Sequence, residues 1–397
     1  MSSKGKSQHK KHLISKRTSL ISPSGIRKFF DLLASIDGVI SLGVGEPDYA
    51  TPWHICEAAI KSLEKGYTMY TSNHGMLELR QELSKYLRDS YELDYDPDTE
   101  LLITVGVSEA LDLAMRATLD FGDEVIMPDP CYVAYAPCVI MAGGTPIMVP
   151  ANSDNNFEIN AADIEKKINA RTKAILIGYP ANPTGAVMSK EKLTQIAEVA
   201  LRHNLLVISD EIYAKLVYGV EHTCFAKLPE MRENTILLGG FSKAYAMTGW
   251  RIGYAAAPKE LIKAMTKIHQ YTIMCAPTMA QVAALEALKS EKDTTADMVE
   301  DYNRRRLVIV KGLNDIGLTC FEPHGAFYAF PSIKCTGMTS EEFAEKLLVE
   351  EKVAVVPGSA FGEHGEGFVR CCYATSLVEI EEALTRMKRF VSKHKIN

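Results

Sequence analysis

Ala174-Ile175-Leu176-Ile177-Gly178 and Leu205-Leu206-Val207-Ile208-Ser209 are two short apolar runs separated by a helix-length segment, Ser189–His203. Ser189 is a natural helix cap, and the helical pattern stops before Asn204. The runs are continuously apolar rather than alternating. A strand of that kind is covered on both faces, as in a parallel sheet with helices packed above and below. The same alternation extends outward from this unit. Leu101–Thr104, Glu124–Met127 and Pro146–Val149 precede it, and Thr235–Leu238 and Ile252–Ala255 follow it. Ser108–Thr118 supplies another helix, with apolar residues at 111, 114 and 115. The expected fold is α/β, a mainly parallel sheet sandwiched by helices.

After Pro258 the pattern changes. Long helical stretches cover about 259–289 and 294–315. Strand-like pieces follow at Ala326–Phe330, Val353–Val356 and Phe368–Tyr373, and a last helix starts near Leu377. A chain of 397 residues is expected to form more than one lobe. Residues 51–289 are read as a large domain; 19–50 and 290–397 are read as a smaller α+β domain. Residues 1–18 form a basic tail, expected to be disordered. It lacks the apolar core of a signal peptide, although its Ser-containing, acid-free composition also suits a transit segment.

Composition narrows the function classes. The chain is 47% hydrophobic and 24% charged, and no apolar run approaches a membrane span. The net charge is −6, yet residues 1–30 carry eight Lys/Arg and no Asp/Glu, which leaves the rest at −14. An acidic body does not suit a nucleic-acid partner. The nine cysteines have neither CxxC pairs nor metal-type spacing, so reduced thiols in the cytoplasm and no metal are expected.

Polar residues fall where the strands end, and ligands of such sheets sit beyond the carboxyl ends of the strands. Gly106-Val107-Ser108 opens a helix and offers free N–H groups to an anion; a glycine there is also ordinary turn chemistry. Asn182 lies in the stiff loop Tyr179-Pro180-Ala181-Asn182-Pro183-Thr184-Gly185. Asp210 directly follows an apolar run and needs a positive partner if it is not simply a helix cap. Tyr213 is three residues on. Ser242-Lys243 follows the run Thr235–Gly240, and Arg251 lies eight positions beyond the lysine. A lysine becomes a nucleophile when burial or a nearby cation lowers its pKa; the alternative is a loop with two solvated cations. Arg370 interrupts the apolar run Phe368–Tyr373, where a guanidinium fork suits a carboxylate, whether a substrate's or an internal one.

One ligand satisfies all these groups. Its phosphate takes Gly106, Val107, Ser108, Ser242 and Arg251, its protonated ring nitrogen takes Asp210, and its ring hydroxyl takes Asn182 and Tyr213. Its aldehyde takes Lys243, and the α-carboxylate of an amino-acid substrate takes Arg370. That ligand is pyridoxal 5'-phosphate.

The chain resembles the class I/II pyridoxal-phosphate aminotransferases of fold type I from about Val39 to Val391. The likeness rests on Gly43-Val44-Gly45-Glu46-Pro47-Asp48, Tyr70-Thr71-Ser72-Asn73-His74-Gly75 and Asp129-Pro130-Cys131-Tyr132. It continues through Asn182-Pro183-Thr184-Gly185, Ser209-Asp210-Glu211-Ile212-Tyr213, Ser242-Lys243 and Gly249-Trp250-Arg251-Ile252-Gly253, and ends at Arg370. The resemblance implies that Lys243 forms the Schiff base and shuttles the α-proton. It implies that Asp210 keeps the ring nitrogen protonated, that Tyr213 and Asn182 bond the ring oxygen, and that Tyr132 stacks on the ring. Arg370 and the Gly43 backbone would grip the α-carboxylate. Tyr70 would reach the phosphate of a neighbouring subunit, which implies a homodimer with shared active sites. The implied reaction is ping-pong transfer of an amino group from an L-amino acid, aromatic, aspartate or similar, to a 2-oxo acid such as 2-oxoglutarate. A β-lyase and a non-catalytic cofactor sensor are the alternatives. Two departures bear on specificity. Ser108 stands where one bacterial aspartate-acting subgroup has a lysine, and Ile26 in the lid-like stretch Ser22-Pro23-Ser24-Gly25-Ile26 favours an apolar or aromatic side chain.

Overall fold

The computed structural model describes residues 14–23, 37–290 and 295–396. Most of the lid-like stretch, including Ile26, lies outside the described residues, as do residues 1–13 of the basic tail. Within the remainder of that tail, Lys16–Ser19 form a helical turn capped by Ser15, and Arg17 Nη1 donates to the Met141 carbonyl at 3.0 Å.

Twelve strands are seen among the described residues: β1 (Ile40–Ser41), β2 (Leu101–Thr104), β3 (Glu124–Asp129), β4 (Thr145–Pro150), β5 (Thr172–Gly178) and β6 (Leu206–Asp210), then β7 (Thr235–Gly240), β8 (Gly253–Ala256), β9 (Tyr328–Ala329), β10 (Val353–Ala354), β11 (Val356–Pro357) and β12 (Val369–Cys372). Seven of them form one sheet in the order β2-β8-β7-β6-β5-β3-β4. Only β8 runs against its neighbours. All seven runs read from the sequence are strands, with ends shifted by at most two residues.

Side-chain alternation divides the sheet between two apolar layers. Val125, Met127, Leu176, Ile208, Ile236 and Leu238 pack with the helices Gly106–Thr118 and Lys259–Thr272. Ile126, Ile175, Ile177 and Val207 face the opposite layer with the Lys190–Arg202 helix. Toward β2 and β8 that second face is covered instead by Trp53–Glu64, Leu77–Tyr91 and Thr278–Lys289. Each large aliphatic side chain buried this way contributes about 1.5–3 kcal/mol.

The stretch read as one helix over 259–289 is two, Lys259–Thr272 and Thr278–Lys289. Met274 takes the left-handed φ of 73°, and Pro277 starts the second helix. A third apolar cluster is built mainly from C-terminal elements: the helices Ala296–Asp315, Ser340–Glu351 and Leu377–His394, and strands β9, β10 and β12. Ile40 pairs with Val353 and Ser41 with Ala354, which draws β1 into this cluster. Tyr213, Leu216 and Tyr218, just beyond β6, pack into it as well.

The parallel strands all finish on one edge, at Thr104, Asp129, Pro150, Gly178, Asp210 and Gly240. The connections leaving that edge enclose the site.

Candidate active site

A cavity of about 320 Å³ opens at this edge. Its wall brings together Val107, Ser108, Tyr132, Asn182, Asp210, Tyr213, Ser242, Lys243, Arg251 and Arg370, residues spread over 264 positions of the chain. Gly43, Tyr70 and Gly106 are the expected site residues outside that wall.

The anion-binding end is built by two loops. Gly106 has φ +71°, and a Cβ placed on it would lie 2.7 Å from Arg251 Nη2, so only glycine lets the guanidinium lie against the start of the helix. Arg251 itself adopts φ +53°, an uncommon conformation that turns the side chain back toward β2. Its Nη1 donates to the Thr248 carbonyl at 3.0 Å, its Nη2 lies against Gly106, and the residue lines the cavity. The first-turn N–H groups of a helix have no partner inside the helix. With the Ser108 and Ser242 side chains and one cation, this end is chemically an oxyanion receptor.

At the middle of the cavity, Asp210 ends β6 and is buried. Its Oδ2 accepts from Tyr135 Oη at 2.9 Å, and its Oδ1 accepts from the Ile212 N–H at 3.2 Å. Burial pushes its carboxyl up to about 6, against the opposing pull of those two hydrogen bonds. Among the described residues no cation pairs with it. Lys243 Nζ donates to the Gly45 carbonyl at 2.7 Å and lies near the Tyr213 and Phe327 rings. Burial pulls its ammonium down to about 8, and Arg370 and Arg251 push in the same direction. A fraction of the amine is thereby neutral near physiological pH.

At the far end, Arg370 from β12 is 2% exposed. Its Nη1 donates to Asn182 Oδ1 at 2.8 Å and its Nη2 to the Gly43 carbonyl at 2.7 Å, while its buried Nε has no partner. Tyr328 and Phe361 lie against the guanidinium at 4.5 and 5.0 Å. The internal carboxylate that usually explains a buried arginine is missing among the described residues. Gly43 therefore orients the arginine through its carbonyl, and Gly45, two residues on, forms the cavity wall. Tyr132 lines the cavity edge-on to Tyr135. Tyr70 is 80% exposed, outside the cavity.

Two members of the site escape a reading of the sequence. Tyr135, the Asp210 partner, lies 75 positions away from it, and the only signal is Gly178, where a Cβ would come within 2.0 Å of the Tyr135 hydroxyl. Tyr328 hydrogen-bonds Tyr213 at 2.7 Å, hydroxyl to hydroxyl, and stacks on Arg370. It lies in a run recognisable only as a strand. No group of three or more potential metal ligands occurs among the described residues, and no described helix is long and apolar enough to cross a membrane.

A sheet edge that gathers an activated amine, a buried carboxylate and an oxyanion receptor defines an enzyme of the pyridoxal-phosphate fold type I class. The family model of the class I and II aminotransferases matches residues 37–387. A putative aminotransferase, YugH, of Bacillus subtilis is 58% identical over 94% of this chain and 97% of its own length. An aspartate aminotransferase of Pyrococcus abyssi is 46% identical over 96% of this chain and 99% of its own. The crystal structure of an aromatic aminotransferase from Pyrococcus horikoshii superposes with a TM-score of 0.88, at 44% identity, covering 93% of this chain and 99% of that one. The chain belongs to the class I and II aminotransferase family, whose members depend on pyridoxal phosphate. Its activity is transamination, in place of the elimination or cofactor sensing that the sequence also allowed.

Proposed function

We propose that Lys243, Asp210, Tyr213, Asn182 and Arg370 are the working residues of this transaminase. Its donors are aromatic amino acids or aspartate, and its acceptor is a 2-oxo acid such as 2-oxoglutarate. One observation carries the reading. A single cavity holds an amine lowered to about 8, a buried carboxylate without a cation and a buried arginine without a carboxylate.

The residues fit pyridoxal phosphate. The Gly106 turn is a cradle that a Cβ would fill, and the donors around it suit a phosphate. The orphaned Arg370 Nε awaits an acceptor. In this assignment Val107, Ser108, Ser242 and Arg251 hold the phosphate at the Gly106 turn, and Asp210 holds a proton at the ring nitrogen. Tyr213 and the Nδ2 of Asn182 would donate to the ring oxygen, and Tyr132 would cover the ring. When bound, the cofactor supplies an aldehyde that captures amines and a ring that withdraws the charge left on the α-carbon. Lys243 Nζ, neutral in part near pH 8, takes the α-proton and returns it. Arg370 fixes the α-carboxylate so that the α-hydrogen faces Nζ, and its two flanking rings keep water from the pair.

Substrate class follows from the wall and from the relatives. The cations lining the cavity among the described residues are Lys243, Arg251 and Arg370, and all three have assigned tasks. Tyr132, Tyr135 and Tyr328 add aromatic surface. Of the three similar proteins named above, one is an aspartate and another an aromatic aminotransferase. Exposed Trp53, Met69, Tyr70 and Tyr271 support a homodimer in which Tyr70 reaches the partner's phosphate site. Residues 51–289 then serve as the cofactor domain, and 19–50 with 290–397 as the domain that closes over substrate. Nine free cysteines suit the reducing cytoplasm, and a transaminase of amino acids has its place in amino-acid metabolism and biosynthesis.

The test is a panel of amino acids added to the purified holoenzyme, following the visible band of the bound cofactor. Aromatic donors and aspartate should bleach it fastest, and 2-oxoglutarate should restore it. A panel in which these donors leave the band unchanged while others bleach it contradicts the substrate reading.

A further inference from the structure

Behind the anion-binding turn, on the side away from the cavity, lies a buried histidine that the reaction does not use. His269 sits on the Lys259–Thr272 helix and is fully buried. Its Nδ1 is 2.7 Å from Glu109 Oε1, and its Nε2 has no partner. Glu109 belongs to the first turn of the Gly106–Thr118 helix, and its other oxygen, Oε2, accepts from the Val105 N–H at 2.6 Å. Both carboxylate oxygens are thus engaged, one by each neighbour. A carboxylate only accepts, so Nδ1 carries the proton in this contact.

Val105 is the cap position of that helix and has no side-chain cap of its own. The Glu109 carboxylate instead reaches back one turn to the N–H of the cap residue itself, as the acidic member of a capping box does, and it sits where the helix dipole favours negative charge. A glutamate has three rotatable bonds, so without a second contact its grip on Val105 is one of several rotamers. The His269 ring, locked in packed surroundings, removes that freedom.

We infer that His269, acting through Glu109, is a positioning residue for the Gly106–Ser108 turn and so for the affinity of the cofactor's phosphate. This rests on the assignment of that turn to the phosphate. The chain of contact runs from ring to carboxylate to the Val105 N–H to the turn, and it touches neither Lys243 nor Asp210.

The test compares pyridoxal phosphate with pyridoxal, which Lys243 can capture but which lacks the phosphate. Dissociation constants for both are measured by absorbance on the full chain freed of cofactor. In His269→Phe the affinity for pyridoxal phosphate should fall on the order of tenfold, and that for pyridoxal should stay near the parent value. His269→Asn, which keeps an N–H near the Nδ1 position, should recover most of the loss. Glu109→Ala should show the same selective loss, and the double variant should be no worse than Glu109→Ala alone. Should His269→Phe fail to fold, the Asn and Glu109 variants carry the comparison. Equal losses for both ligands, or none, overturn the inference. Arg251→Ala separates the two levels. If it lowers the phosphate preference while His269→Phe and Glu109→Ala do not, the inference fails and the phosphate assignment stands; if none of them lowers it, the assignment itself fails.

Discussion

Arg305 and Arg370 are both buried, at 8% and 2% exposure, and each has an unpartnered Nε. Their surroundings differ in sign. Arg305 lies between two carboxylates, Asp48 at 2.7 Å and Asp301 at 2.6 Å, with the Thr375 carbonyl as a further acceptor. Arg370 receives only an amide oxygen and a backbone carbonyl. Removing a charge from water costs several kcal/mol unless a counter-charge is near. The first arginine is neutralised by its own chain and ties the segment around Asp48 to the Ala296–Asp315 helix. In the proposed assignment the second is left for an anion that arrives from outside. Asp210 is its mirror image, a buried carboxylate awaiting a cation. Counter-charge, rather than burial, separates Arg305 from the two side chains to which the proposal gives work.

Four experiments sharpen or break that distinction. Lys243→Ala should have the largest effect, reducing turnover by about 10³-fold or more and removing the visible band of bound cofactor; turnover near the parent value would remove the amine from the account. Arg370→Ala and Arg305→Ala should fail in opposite ways. The first should lower kcat/KM for amino donors about 10²-fold with little change in urea unfolding. The second should cost about 3–5 kcal/mol of stability and leave donor KM near normal in the folded fraction. The reverse pattern would break the comparison.

Cofactor uptake should depend on pH through Lys243. Its amine is lowered to about 8, and the protonated form has no lone pair, so uptake should accelerate as pH rises through 8. The gain from pH 7 to pH 9 should be about tenfold. A flat profile over that range would mean the amine is not the capturing group. The smallest effect is expected for Tyr135→Phe. The lost hydrogen bond holds the Asp210 carboxyl down, so its pKa should climb above about 6, and cofactor affinity should weaken by about 1 kcal/mol, read by equilibrium dialysis.

Much of this was legible in the chain because strand and helix signals are local. Leu101–Thr104 and Thr235–Leu238 announce themselves by continuous apolarity, and Ser189 caps its helix as its chemistry requires. The polar residues of the site were legible because they punctuate strand ends. The remainder depends on proximity across the fold. Nothing near Tyr135 in sequence indicates that its hydroxyl meets Asp210, or that Tyr328 lies between Tyr213 and Arg370. Gly43 was read as a carboxylate grip, and its carbonyl turns toward the guanidinium. The break between Thr272 and Thr278 was missed because apolar spacing continues across it while Met274 and Pro277 redirect the backbone.

The central claim is that the amine at position 243, and no other, binds the cofactor covalently. Borohydride reduction of the holoenzyme followed by peptide mass spectrometry tests it directly. A pyridoxyl-phosphate mass increment confined to the peptide carrying Lys243 is the expected result; an increment on a different lysine, or none at all, would contradict the account.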